Sequence, residues 1–181
     1  MTGTHHLFTL TRLLLRIATL FSLFLIAVLC MGLGALVLAI LGVFPVPIPA
    51  DVLDGVLKGV TLNQILVAAV YGVMSGVICI ALAAWMFLLT ARIVDTASSG
   101  DPFVVENAAR LNLIACLLLA IQLVGLIFDG VMSSLPDKIN SHMSIGFDVS
   151  ASGILAALLI FVLAQIFRRG SEMRAELEGT V

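Results

Sequence analysis

Charge is scarce in this chain. Nine Lys or Arg and eleven Asp or Glu among 181 residues make 11%, less than half the share usual in a soluble domain. Lysine is nearly absent, with only Lys58 and Lys138. The three cysteines, Cys30, Cys79 and Cys116, include no C-x-x-C pair, which argues against a dithiol redox centre and leaves each as a small packing residue in an apolar run. Histidine is limited to His5 and His6 near the N-terminus and to His142, too few and too scattered to converge on a metal. The sequence also lacks a G-x-S-x-G elbow, an H-E-x-x-H pair and a glycine-rich phosphate loop. It is therefore not expected to be an enzyme, and no catalytic, cofactor or metal residue is assigned.

What the chain has in excess is apolar length. Hydrophobic residues make up 61% of it and the mean hydropathy is +1.22, more than one domain of this size buries against itself. Four apolar runs, at about 17–43, 65–91, 113–131 and 149–167, each reach the ~17–25 residues that cross a hydrocarbon core about 30 Å thick. The expected fold is all-α: one polytopic domain over 1–181, with four transmembrane helices (about 17–43, 65–91, 103–131 and 149–170) in two hairpins and a short tail at 170–181. The first two runs exceed a perpendicular crossing, so those helices are expected to tilt or to project beyond the bilayer. Arg12 and Arg16 lead into a run too long for a signal-peptide core, so the first helix reads as an anchor.

All seven arginines cluster by segment. Arg12 and Arg16 precede the first helix, Arg92 and Arg110 flank the second connection, and Arg168, Arg169 and Arg174 follow the fourth. Basic residues are retained in the cytoplasm. Both termini and the 92–112 connection are thus expected inside (N-in/C-in), with the loops at 44–64 and 132–148 outside, which makes this a multi-pass protein of a cell's inner (plasma) membrane. The outer loops carry a proline-rich exit, FPVPIPA at 44–50, and a weakly amphipathic segment at 50–60.

The connection reads ARIVDTASSGDPFVVENAARL over 91–111. Small polar residues at 96–100 suit a break and turn, Asp101 suits a helix N-cap, and Pro102 suits the first helical position. Glu106 and Arg110 stand at i,i+4 in the favourable order for an ion pair. In the fourth helix, Asp148 suits an N-cap, and the helix is expected to continue past Arg169 to Gly170 or further through SEMRAELE.

Two of these segments carry a resemblance. Gly100, Pro102, Phe103, Glu106, Asn107 and Ala108 follow a Gly-x-Pro-Phe-x-x-Glu-Asn-Ala pattern. FDVS at 147–150 opens an apolar helix, followed by a basic and acidic tail that ends at Leu177–Val181. Together they resemble a bacterial membrane-protein family catalogued as domain of unknown function 2975. The resemblance implies four helices, a cytoplasmic tail and no assigned activity. Members look to be encoded beside a small helix-turn-helix regulator, so it also implies such a regulator as a cytoplasmic partner, with no direct contact to nucleic acid.

Polar residues inside the runs discriminate between functions. Proton- or ion-coupled transport calls for an ionisable group in the membrane, and only Asp129 touches a run, near the outer end of the third helix. Gln122 lies deeper and is expected to make an interhelical hydrogen bond. Ala68, Gly72 and Gly76 form a small-residue ridge that fits packing within the chain, or alternatively homo-oligomerisation through Gly72 and Gly76. Trp85 suits an interfacial anchor. The patterned polar residues instead gather at the inner face: Pro102, Phe103, Glu106, Asn107, Arg110, Arg168 and Arg169. We expect Glu106 and Asn107 to meet Arg168 or Arg169 in one cytoplasmic interaction surface; the blander expectation is that the arginines simply anchor the helix end to headgroups. The preferred function is a regulatory or interaction protein, with a small-molecule transporter or channel subunit as the alternative.

Overall fold

The structure is a computed structural model that describes residues 2–43, 61–133 and 150–178. The FPVPIPA exit, the 50–60 segment, His142, Asp148 and the final Gly179–Val181 lie outside the described residues. Within them are four α-helices and no strands: α1 Thr2–Ile40, α2 Leu62–Ser98, α3 Val105–Met132 and α4 Ala151–Glu178. Each is long and apolar enough to cross a membrane. None of the most apolar window of α1 is buried, and even in α3 only 28% is. Leucines, phenylalanines and isoleucines along all four helices are left exposed, an apolar surface far beyond what water tolerates on a soluble monomer and ordinary against lipid. These are the helices of a multi-pass membrane protein.

Three helices run well past their apolar cores. α1 and α2 hold 39 and 37 residues, about 58 and 55 Å at 1.5 Å per residue. Neither Thr2–Arg16 nor Arg92–Ser98 contains Pro, so leaving the apolar run is no reason to leave the helix. Glycine ends both. Gly42 has φ +73° and Gly100 φ +95°, and the paired bonds Gly42 N–H to Ala39 O with Val43 N–H to Leu38 O, and Gly100 N–H to Ala97 O with Asp101 N–H to Thr96 O, close a Schellman turn at each end. Replacing Gly100 with alanine forces a side chain into this left-handed geometry and is expected to destabilise by about 1–3 kcal/mol, as a lowered thermal midpoint of the detergent-solubilised protein will register.

The helix starts are capped too. Thr61 and Gln64 form a reciprocal capping box ahead of α2, with Thr61 N–H to Gln64 Oε1 at 3.0 Å and Gln64 N–H to Thr61 Oγ1 at 3.4 Å. Ser150 Oγ accepts from Gly153 N–H at 3.1 Å and caps α4. Hydroxyls within the helices bond back to carbonyls three or four residues earlier, as at Thr19, Ser22, Ser75 and Thr90, which satisfies them where lipid offers no partner.

The chain divides into two compact units. The first comprises Met1–Leu23, Ala81–Ile121 and Ser150–Val181, and its core is Leu89, Ile114 and Leu117 with Met86, Ile93 and Ile160 packed around them. The second comprises Phe24–Ile80 and Gln122–Val149. Here the small-residue ridge of α2 has a partner in the same chain. Ala68 is buried, and a Cβ on Gly72 would lie 3.8 Å from the buried ring of Phe128 on α3. Gly76 faces nothing within 4 Å. Cys30 and Cys116 are exposed and Cys79 is half-buried, so the packing role expected of the cysteines fits Cys79 alone.

Candidate interaction surface

The first unit brings together the end of α2, the turn at 99–104, the start of α3 and the last turns of α4. At its centre is Asn107, the one large side chain that is fully buried among the described residues. Its Nδ2 donates to Thr96 Oγ1 at 2.7 Å and to Pro102 O at 2.9 Å, and its Oδ1 accepts from Arg110 Nη1 at 2.7 Å. Thr96 in turn donates to Ile93 O at 2.9 Å. One amide thus ties the end of α2, the turn and the first turns of α3 together.

This network corrects three expectations. Asp101 is not the N-cap of α3: its amide closes the Schellman turn of α2, and α3 begins at Val105, with Asn107 N–H bonded to Val104 O. Pro102 lies three residues before α3 and serves through its carbonyl. Arg110 donates to Asn107 and not to Glu106, which is exposed and makes no ion pair among the described residues. A buried amide oxygen in a fixed position is the better partner for the guanidinium, because an exposed i,i+4 pair is worth only about 0.3–0.5 kcal/mol.

The two segments expected to meet do meet, through other residues. Asp101 forms an ion pair with Arg174 of α4. The Phe103 ring stacks at a tilt on Phe167, with centroids 5.2 Å apart and planes at 42°. It also lies over Gly170, where an added Cβ would come within 2.8 Å of Phe103 Cδ1. The expected contact of Glu106 and Asn107 with Arg168 or Arg169 is not formed: Asn107 is buried and bonded to Thr96, Pro102 and Arg110, and Arg168 Nε lies 3.3 Å from Glu172 Oε1 one helical turn further on. Arg169 is exposed. On the α1 side, Arg12 Nε lies 2.6 Å from Asp95 Oδ1 and its Nη2 donates to Ser98, while Arg16 and Arg92 line a cleft of about 370 Å³ with Leu20 and Leu88.

Sequence reasoning passed over Thr96, Gly170 and Arg174. Gly170 had a signal: a glycine inside a helix costs about 1 kcal/mol relative to alanine, which makes sense only where something packs close. The pairing of Asp101 with Arg174 had none, being a long-range choice between similar charges. Both partners are half-exposed, 37% and 48%, so each single alanine variant is expected to cost less than about 1 kcal/mol, and a double-mutant cycle on thermal stability should return a coupling of a few tenths to about 1 kcal/mol.

No Asp, Glu, His and Cys cluster among the described residues has the makings of a metal site. A family model described as Protein of unknown function (DUF2975) matches residues 60–181. The chain belongs to this family. No curated protein and no solved structure matches it. The DUF2975 match opens at the capping box of α2 and runs through α3 and α4, so Asn107 and its partners, the Phe103–Phe167–Gly170 contact and the Asp101–Arg174 pair all lie inside it. α1 lies ahead of it.

Proposed function

We propose that this DUF2975 protein is a regulatory or interaction module of the inner (plasma) membrane that presents the 101–107 turn and the end of α4 to a cytoplasmic protein partner, a small helix-turn-helix regulator. The observation that carries the reading is the locking of the two family-pattern segments to each other: Phe103 is seated on Phe167 and Gly170 beside the Asp101–Arg174 pair. A helix that served only as an anchor needs no such joint. The clustering of arginines in these segments supports a cytoplasmic placement. Glu106 and Arg169 remain exposed beside the joint and are the side chains offered to a partner. The module carries no catalytic role, and it does not contact nucleic acid itself.

The test is recovery of partners from native membranes with a functional tag at the N-terminus. The wild type is expected to bring down a helix-turn-helix protein, and Arg169→Glu, which changes an exposed charge without touching the joint, should greatly reduce its recovery. Recovery of no such protein, or equal recovery with the variant, would count against the proposal.

A further inference from the structure

A cleft of about 550 Å³ opens between the first turns of α3 and the last turns of α4. Alanines floor it, among them Ala108 and Ala164, the buried Ser171 hydroxyl is given to Arg168 O, and four further polar side chains stand around it: Asn112, Gln165, Arg168 and Glu172. All four are exposed. Asn112 and Gln165 have no side-chain hydrogen bond among the described residues, although Gln165 lies inside the apolar run of α4 and Asn112 at the mouth of that of α3. Each amide at the edge of an apolar run has two N–H groups to give, and an acceptor from outside the chain can take them. Arg168 touches Glu172 through Nε alone, 3.3 Å away, and its two terminal nitrogens are left for another acceptor.

The order of these groups along α4 identifies what fits. From the helix end inward come the Glu172 carboxylate, the Arg168 guanidinium about 6 Å deeper, and the Gln165 amide about 4–5 Å deeper again. Asn112, seven residues into α3, stands about 10 Å in from that helix's start. A glycerophospholipid with an amino headgroup presents the complementary series from water inward: an ammonium, a phosphate, then ester carbonyls above the acyl chains. We infer that this cleft is a binding site for a phospholipid whose headgroup carries a primary ammonium beyond its phosphate. The ammonium donates N–H bonds to Glu172, the phosphate accepts from Arg168 over the small alanine side chains, and the ester carbonyls accept from the Gln165 and Asn112 amides, with the acyl chains running inward from there past Ala164. A trimethylated headgroup has no N–H to give Glu172, and a headgroup with negative charge only sets that charge against the carboxylate. The inference does not depend on a protein partner.

Native mass spectrometry of the full-length protein released from detergent tests it directly, with phosphatidylethanolamine, phosphatidylcholine and phosphatidylglycerol of identical acyl chains as competing probes. The ethanolamine lipid is expected to be retained about tenfold over the choline lipid, the factor that one hydrogen bond to a charged group supplies. Glu172→Gln should erase that preference while phosphate-dependent retention persists, and Arg168→Gln should weaken retention of all three lipids. Both substitutions sit on an exposed helical face and leave the Asn107 network and the Phe103 contact untouched; an unchanged thermal midpoint verifies this for each sample. Equal retention of ethanolamine and choline lipids by the wild type would overturn the inference. So would a preference for the glycerol lipid, an unchanged preference in Glu172→Gln, or a cleft filled by a second copy, visible as a lipid-free dimer.

Discussion

Asn107→Ala is expected to be the most damaging single change in the first unit, lowering stability by about 2–4 kcal/mol. The side chain is fully buried and makes three hydrogen bonds. Its removal leaves the carbonyl of Pro102 and the guanidinium of Arg110 without their partner, and unsatisfied groups cost more than the bonds themselves contribute. The aspartate variant discriminates further. Asn107→Asp retains an acceptor for Arg110 but turns a second oxygen toward Pro102 O and Thr96 Oγ1. Thr96 cannot answer it, because its single hydrogen is already given to Ile93 O. Asn107→Asp should therefore also destabilise, and both variants should lower the thermal midpoint in detergent. A neutral Asn107→Asp would mean that the network is not assembled as described.

Gly170→Val is expected to cost about 1–3 kcal/mol by overpacking. A Cβ at this position meets Phe103 Cδ1 at 2.8 Å, Cε1 at 3.2 Å and Cγ at 3.5 Å, so the ring must leave its place on Phe167. Its 42% exposure gives it somewhere to go, which keeps the cost below that of a closed core. The sign should reverse once the ring is gone: in a Phe103→Ala background, Gly170→Ala should stabilise by about 0.5–1 kcal/mol, the ordinary gain of alanine over glycine within a helix. The opposite signs, measured by thermal unfolding, separate a packing glycine from a merely flexible one.

The membrane fold was legible because it rests on quantity. Runs such as IATLFSLFLIAVLCMGLGALVLAILGV over 17–43 leave few alternatives once the backbone must satisfy its own hydrogen bonds in lipid. The ends were less legible. Hydropathy locates where lipid stops, whereas a helix stops where its backbone can turn, so α1 starts fifteen residues ahead of its apolar run and α2 continues past Arg92 to the turn at Gly100. The 101–110 segment was misjudged for a related reason. Asp101 followed by Pro102 satisfies the local rules for a helix start, and the competing demand, a Schellman turn that takes the Asp101 amide for α2, is set by the preceding helix. The sequence brought the two patterned segments to one surface and missed their contacts. Glu106 and Arg168 are matched in charge, but Arg168 meets its neighbour Glu172 without crossing to another helix, while the apolar Phe103 and the bare backbone at Gly170 make the crossing.

Cysteine cross-linking between Phe103→Cys and Gly170→Cys reads directly whether the 101–107 turn and the end of α4 are fastened together. The experiment uses intact membranes and a background in which Cys30, Cys79 and Cys116 are replaced by serine. With the ring removed, the two thiols face each other across the space that Phe103 occupied, within reach of the short Cβ separations that a disulfide requires. Rapid cross-linking under mild oxidation is expected, seen as protection of both thiols from maleimide and reversed by reductant. Two thiols that each label freely with maleimide, and do not join under the same oxidant, would contradict it.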